Sequence, residues 1–189
     1  MKRFQLVTNI NTPPAKKCAC WLLLATLFYI NAAQGDTATK SFAVTATISK
    51  GCAFGSSLNS PISDLGTINF GSMSSIPSNL DVASTTGAGS VVITCTPGIT
   101  VAIAMDYGTH GGNATQRYMA NSTNTGTLAY QLYQDAGRTQ VWGTGLQAKT
   151  ISNFPTTTQT YPVYARLFSA TTLPTAGTYT DIVTVTLTY

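Results

Sequence analysis

The sequence contains few of the side chains on which catalysis and metal binding usually depend. Its 189 residues include no glutamate, one histidine and only 8% charged residues. Metal centres and acid–base sites are typically built from clusters of His, Cys and carboxylate side chains. The composition therefore argues against an enzyme, and we expect neither a cofactor nor a metal ion.

One pair of residues offers a candidate for acid–base chemistry. His110 follows Asp106 by four positions in a glycine-rich segment, and a carboxylate can orient an imidazole that acts as a base. However, no serine stands in a nucleophile-elbow context, and no second base accompanies the pair. The favoured interpretation is a solvated histidine in a surface loop.

The first 35 residues have the pattern of a secretory signal peptide. A basic start containing Lys2 and Arg3 is followed by the apolar run CACWLLLATLFYINAA and by the small residues of AQG. The apolar run is too short to span a bilayer. It predicts export, cleavage before Asp36 or, alternatively, after Ala32 or Ala33, and no membrane insertion after cleavage.

Removal of the leader also removes the net positive charge. The remaining chain has six basic and six acidic side chains, namely Lys40, Lys50, Arg117, Arg138, Lys149 and Arg166 against Asp36, Asp64, Asp81, Asp106, Asp135 and Asp181. Since these residues form no basic cluster, no nucleic-acid partner is expected. A neutral body favours association over dispersal, which suits a protein that assembles.

The four cysteines divide between the leader and the exported chain. Cys18 and Cys20 lie in the apolar run and would be lost on cleavage, which leaves Cys52 and Cys95. Two cysteines in an exported domain predict one disulfide. The alternative, two free buried thiols, would suit a cytosolic protein.

After residue 36 the sequence is dominated by strand-like runs separated by Gly, Pro, Asn and Ser. Strands are predicted over residues 41–49, 64–71, 89–96, 99–106, 128–135, 161–169 and 179–189. The dipeptide Pro97-Gly98 predicts a hairpin turn that places Cys95 on its first strand. Roughly seven or eight strands with regular turns indicate an all-β sandwich.

The chain ends on its most regular strand. Val183, Val185, Leu187 and Tyr189 alternate with more polar residues in the segment YTDIVTVTLTY, and nothing follows that could pair with it. A soluble protein rarely leaves such an edge uncovered. The sequence therefore raises the question of what covers it.

Three aromatic residues have both functional and structural interpretations. Trp142 and Arg138 could form a binding pair, but a hairpin turn held by Asp135 with the tryptophan in the core is the favoured alternative. Tyr107 and Tyr118 are candidate sugar platforms, and core or hairpin packing explains them equally well.

The order of several segments, with the two cysteines, resembles the spore coat protein U family, in particular Csu-type subunits of archaic chaperone–usher pili. The segments are KGC, GTINFG, VVITCT, YQLYQDAGRTQVWG, YPVYARL and GTYTDIVTVTLTY. The resemblance covers nearly all of the exported chain. It implies an incomplete immunoglobulin-like β-sandwich that a donor strand from a neighbouring subunit completes.

The resemblance also implies a division of roles along the chain. Residues 36–50 would be the donor segment, which inserts Phe42, Val44, Ala46 and Ile48 into the next subunit. Residues 51–189 would be the pilin domain, in which Val183, Val185, Leu187 and Tyr189 help to line the acceptor groove. The implied partners are a periplasmic pilus chaperone, an outer-membrane usher and other pilus subunits, and the implied location is the bacterial cell surface.

A different class of function stays open. A self-contained secreted sandwich, such as an adhesin or a carbohydrate-binding module, would pair residues 41–49 within its own chain. The chain has room for one domain, so a shaft or minor linking subunit is preferred to a two-domain tip adhesin.

Overall fold

The structure, a computed structural model, describes residues 36–172 and 174–189, and the predicted signal peptide therefore lies outside the described residues. The described chain forms eleven short β-strands and one 3₁₀ turn at Gly145–Gln147, with no α-helix. The strands are β1 (Cys52–Phe54), β2 (Leu80–Ala83), β3 (Val91–Cys95), β4 (Val101–Met105), β5 (Arg117–Asn121), β6 (Thr127–Tyr133), β7 (Lys149–Ile151), β8 (Gln159–Tyr161), β9 (Tyr164–Leu167), β10 (Tyr179–Thr180) and β11 (Val185–Thr188). The predicted all-β class is confirmed.

The strands assemble into three antiparallel sheets. One sheet has five strands in the order β10-β5-β6-β9-β2, and the others have three strands each, in the orders β1-β3-β8 and β11-β4-β7. Residues 46–189 form one compact unit, whereas residues up to Thr45 belong to a separate one. No helix among the described residues is long and apolar enough to cross a membrane.

A single hydrophobic core joins the sheets. Alternate residues of β3 and β4 are buried, as the period of two in a β-strand requires, and they pack against residues of β6 and β9. Trp142 is fully buried, and its indole nitrogen donates a hydrogen bond to the Ile103 carbonyl at 2.9 Å. The large aromatic side chain therefore fills the core without leaving its polar atom unpaired.

The predicted disulfide is present. Cys52 and Cys95 are bonded and are directly opposed in the pairing of β1 with β3. Because Cys95 is buried in the core, the bridge fixes the first strand of the domain to its interior. It closes a loop with a sequence separation of 43 residues.

The predicted hairpin at Pro97-Gly98 is wrong. β3 pairs with β1 and β8, whereas β4 pairs with β7 and β11, so the turn carries the chain from one sheet to another. The reason is that the turn pairs with Phe154, which lies between β7 and β8. The Gly98 amide donates a hydrogen bond to the Phe154 carbonyl at 2.8 Å, and the Phe154 amide donates to the Ile99 carbonyl at 2.9 Å. The amide of Gly98 and the carbonyl of Ile99 are therefore already paired with this third segment and do not close a hairpin between β3 and β4.

Two other predicted strands are absent. Residues 41–49 form no strand in this chain, and residues 64–71 form only one isolated bridge, Gly66 with Ala88. The terminal strand is interrupted, since β10 ends at Thr180 and β11 begins at Val185. Such interruptions explain why the strands are shorter and more numerous than predicted.

Two glycines fix residues 64–71 against the loop that precedes β3. The Gly89 amide donates to the Leu65 carbonyl at 2.8 Å. A β-carbon on Gly89 would lie 2.3 Å from Cγ1 of Ile68, and one on Gly66 would lie 2.0 Å from the Gly87 carbonyl oxygen. Both glycines have φ near +90°, which other residues rarely adopt. The close approach therefore depends on glycine.

The disulfide generates the first prediction. Cys52→Ala and Cys95→Ala should each reduce the free energy of unfolding by about 2–5 kcal/mol, because the unfolded chain regains the freedom that the bridge removes. The double variant should lose little more than either single variant, since both remove the same bond. Thermal unfolding of the non-reduced proteins measures this. Two alkylatable thiols in the native exported protein would contradict it.

The glycine contact generates the second prediction. Gly89→Ala and Gly87→Ala both place a β-carbon at positive φ, which costs about 1–2 kcal/mol, but only position 89 meets Ile68, whereas position 87 is open. Gly89→Ala should therefore be the more destabilising by about 1–3 kcal/mol, as in other overpacked sites. Equal unfolding temperatures of the two variants would refute the contact.

Candidate functional site

A groove of about 600 Å³ opens on the surface of residues 46–189. One wall, wall A, consists of residues 62–68 with Phe70, and the opposite wall, wall B, consists of residues 179–185. The floor between them consists of apolar side chains from β4, β5 and β6 and from the residue before β9, namely Met105, Met119, Tyr130, Leu132 and Val163. The groove therefore reaches the hydrophobic core itself.

Neither wall is a continuous β-strand. In wall A, Ile68 and Phe70 turn half-buried side chains to the core, yet neither residue makes a backbone–backbone hydrogen bond within the described part of the chain. In wall B, Ile182 and Val183 lie between β10 and β11 and also make no backbone–backbone hydrogen bond within the described residues. Of these two, only Val183 packs against the core. Both walls thus present backbone groups that an added strand could pair.

A buried carboxylate stands in wall B. The side chain of Asp181 is 2% exposed, and its Oδ2 accepts a hydrogen bond from the Tyr130 hydroxyl at 2.6 Å. Its Oδ1 accepts bonds from the amide and hydroxyl of Thr109, each at 2.8 Å, and lies 3.0 Å from Nδ1 of His110. Burial raises the pKa of Asp181, but these hydrogen bonds outweigh burial and hold the pKa below its ordinary value.

The buried environment also affects the floor. Burial and the hydrogen bond to Asp181 raise the pKa of Tyr130 far above its ordinary value. The tyrosine therefore stays a neutral donor at any physiological pH. The hydrogen bond from Tyr130 to Asp181 therefore connects β6 to wall B.

The predicted donor residues are all exposed. Phe42 is 87% exposed, Val44 83% and Ile48 89%, and every residue from 36 to 50, including Ala46, belongs to the exposed class. No strand is assigned to any of these residues. An exposed segment with alternating apolar side chains is the feature that a donor strand requires, and its role stays a prediction.

The predicted acceptor residues separate into two groups. Val183 and Val185 line the groove. Leu187 is half-buried against the core but does not line the groove, and Tyr189 lies beyond the end of β11 and is 54% exposed. The sequence therefore predicts two of the wall residues, whereas it does not identify wall A or Asp181.

The candidate acid–base pair does not form. Asp106 accepts backbone hydrogen bonds from Gly108 and Thr184, both at 3.0 Å, and His110 contacts Asp181 instead. Thr109 and Asp181 approach His110 through the same ring nitrogen, so the ring cannot relay a proton between them as a catalytic triad does. No group of three or more His, Cys or Asp side chains lies close enough to hold a metal in the part of the chain that the structure describes.

Two of the aromatic candidates, Trp142 and Tyr107, have structural roles. Asp135 accepts hydrogen bonds from the amides of Thr139 and Gln140, which holds the turn before the buried Trp142 as the favoured interpretation predicts. The guanidinium of Arg117 lies 5.3 Å from the centre of the Tyr107 ring. One face of Tyr107 is therefore covered, which disfavours its use as a sugar platform.

Comparison with solved structures supports the fold. A chain of the CsuC–CsuE chaperone–tip adhesion subunit pre-assembly complex, from archaic chaperone–usher Csu pili of Acinetobacter baumannii, superposes with a TM-score of 0.53 at 21% identity. The match covers 76% of this chain and 41% of the other, so this chain spans less than half of that relative. The predicted all-β, immunoglobulin-like class is confirmed as a fold.

A second solved chain is less similar. It comes from a chaperone–tip adhesin complex described for CFA/I fimbriae biogenesis, with a TM-score of 0.37 and 19% identity over 59% of this chain and 35% of its own. That similarity is too low to support any argument. Among curated proteins, none matches this chain significantly.

The family itself is established by sequence. Residues 38–186 match the Spore Coat Protein U domain, which covers most of the chain and includes the disulfide, both walls of the groove and the exposed segment from residue 38 onward. The resemblance noted from the order of the sequence segments is thereby confirmed. The chain belongs to the Spore Coat Protein U domain family.

Proposed function

We propose that this chain is a structural subunit of a chaperone–usher surface pilus that polymerises by donor strand complementation. The observation that carries the proposal is the pairing of two features in one chain. One is an apolar groove between two walls with unpaired backbone groups, and the other is an exposed segment with alternating apolar residues. Each feature supplies what the other lacks.

The dimensions of the two features agree. Wall A contributes eight residues between positions 62 and 70, and the alternating segment 41–49 spans a similar number of positions. A strand laid in the groove could exchange hydrogen bonds with both walls and direct every second side chain to the apolar floor. Phe42, Val44, Ala46 and Ile48 are the residues that would face the floor.

The chemistry of the groove also accounts for the proposed partners. An unpaired edge beside an apolar groove promotes aggregation unless something covers it. A periplasmic chaperone would cover the groove before assembly, and a neighbouring subunit would replace it at an outer-membrane usher. Because donor and groove are different surfaces, the contact is heterologous and propagates into a fibre.

Family membership and the similarity to a chaperone–usher pilus subunit support this proposal. The signal peptide predicted for residues 1–35 would direct the chain to the periplasm and from there to the cell surface. There the fibre would support attachment and biofilm formation. A nucleic-acid partner, a cofactor and a catalytic activity are not part of the proposal.

The self-contained secreted module is the less favoured alternative. Such a module would bury its first strand in its own core. The high exposure of Phe42, Val44 and Ile48 favours a role in another molecule instead.

The third prediction tests the donor role. Val44→Asp or Ile48→Asp would place a carboxylate in the apolar groove of the next subunit, where burial of an unpaired charge is costly enough to block assembly. Thr45→Asp is the matched control, because Thr45 lies on the opposite face of the same alternation. We expect the first two variants to form no surface polymer and the control to form it.

The measurement compares the periplasmic chaperone–subunit complex with the surface polymer after co-expression with chaperone and usher. Normal complex with lost polymer is the expected result for Val44→Asp and Ile48→Asp. Loss of the complex itself would show that residues 41–49 belong to the fold of their own domain. That outcome would favour the self-contained module.

A further inference from the structure

We propose that Asp181 is a positioning residue that holds wall B in the conformation that accepts a donor strand. The inference rests on the proposed function, and it identifies the contact that prepares the groove. It concerns the four residues 181–184, where the last part of the chain changes sheets.

The change of sheets is the first observation. Tyr179 and Thr180 pair with β5 in the five-stranded sheet, whereas Val185–Thr188 pair with β4 in another sheet. Residues 181–184 connect the two sheets along the edge of the groove. Their position is therefore not determined by strand pairing, and other contacts must fix it.

Contacts of two aspartates hold the two ends of this connection. Asp181 accepts hydrogen bonds from Thr109 in the loop after β4 and from Tyr130 in β6. Asp106, at the start of that loop, accepts a bond from the amide of Thr184, and its own amide donates to the Thr184 carbonyl, both at 3.0 Å. Both ends of the connection are thereby held, and between them the backbone groups of Ile182 and Val183 have no backbone partner among the described residues.

The loop is shaped to fit the carboxylate. Gly108 has φ of +80°, and a β-carbon there would lie 1.9 Å from Oδ2 of Asp181. Only glycine allows the loop to close this tightly over the side chain. The loop therefore packs closely around the Asp181 carboxylate. A carboxylate that served only solubility would not require such packing.

The consequence for binding follows from preorganisation. A groove whose wall is already ordered loses less conformational freedom when a strand binds. If wall B were correctly placed only part of the time, the apparent affinity for a donor would fall in proportion to that fraction. Loss of Asp181 should therefore weaken donor binding more than it weakens the fold.

The experiment measures binding of a fluorescent synthetic peptide with the sequence of residues 36–50. The receptor is the exported protein carrying Val44→Asp, so that its own segment does not compete. Asp181→Ala should bind the peptide at least about tenfold more weakly than the Asp181 receptor. Asp181→Asn, which can keep one acceptor oxygen for Thr109, should bind with intermediate affinity.

Asp135→Ala is the matched control. Asp135 also accepts amide hydrogen bonds from a loop, at Thr139 and Gln140, but it does not line the groove. It should lower the unfolding temperature without changing peptide affinity. Emission from Trp142, the only tryptophan after the predicted leader, reports whether each variant is folded. If Asp181→Ala is unfolded, Asp181→Asn decides the question.

The outcomes separate the two proposals. If the Asp181 receptor does not bind the peptide, the proposed function fails and the role of Asp181 fails with it. If that receptor binds and the folded Asp181 variants bind equally well, only the role of Asp181 is overturned. Equal weakening by Asp135→Ala would also overturn it, because the effect would then reflect general stability.

Discussion

An apolar groove whose walls have few backbone partners among the described residues is the constraint on which the proposed function depends. The floor includes buried core residues such as Met105 and Leu132, so a strand laid in the groove would extend the hydrophobic core itself. Three large donor side chains would each contribute about 1.5–3 kcal/mol on burial. Their sum is of the same order as the whole stability of a typical domain, about 5–15 kcal/mol. Under the proposed function, a covering strand would therefore be a major part of the fold rather than an addition to it.

The domain compensates for its open side with strong local links elsewhere. The Cys52–Cys95 bridge fixes β1 to β3, and the buried Trp142 joins the loop after β6 to β4 through its hydrogen bond to Ile103. The Asp106 and Asp181 contacts hold the connection between β10 and β11. The first link reinforces an existing strand pair, and the others hold segments that lie outside the strands.

The sequence predicts the regular parts of this arrangement and misses the irregular ones. Alternation identifies the inward-facing Val183 and Val185, because their side of the strand depends only on neighbouring residues, but the strand that it predicts over residues 41–49 does not form in this chain. It misreads residues 64–71 as a strand, since the same alternation occurs in a segment whose backbone pairs at only one point. Asp181 interrupts the apolar side of the alternation two positions before Val183, but alternation cannot show what it binds, because its partner Thr109 is 72 positions away.

The position of the disulfide has a mechanical consequence. In a fibre, tension would enter a subunit just before Cys52 and leave it through the strands beside the groove, including β11. Because Cys52 is bonded to Cys95, that tension passes directly into β3 and bypasses the intervening chain. The 43 residue steps between the cysteines correspond to about 150 Å of extended polypeptide. The chain between Cys52 and Cys95 cannot extend while the bridge is intact, so it could not contribute to the extension of such a fibre.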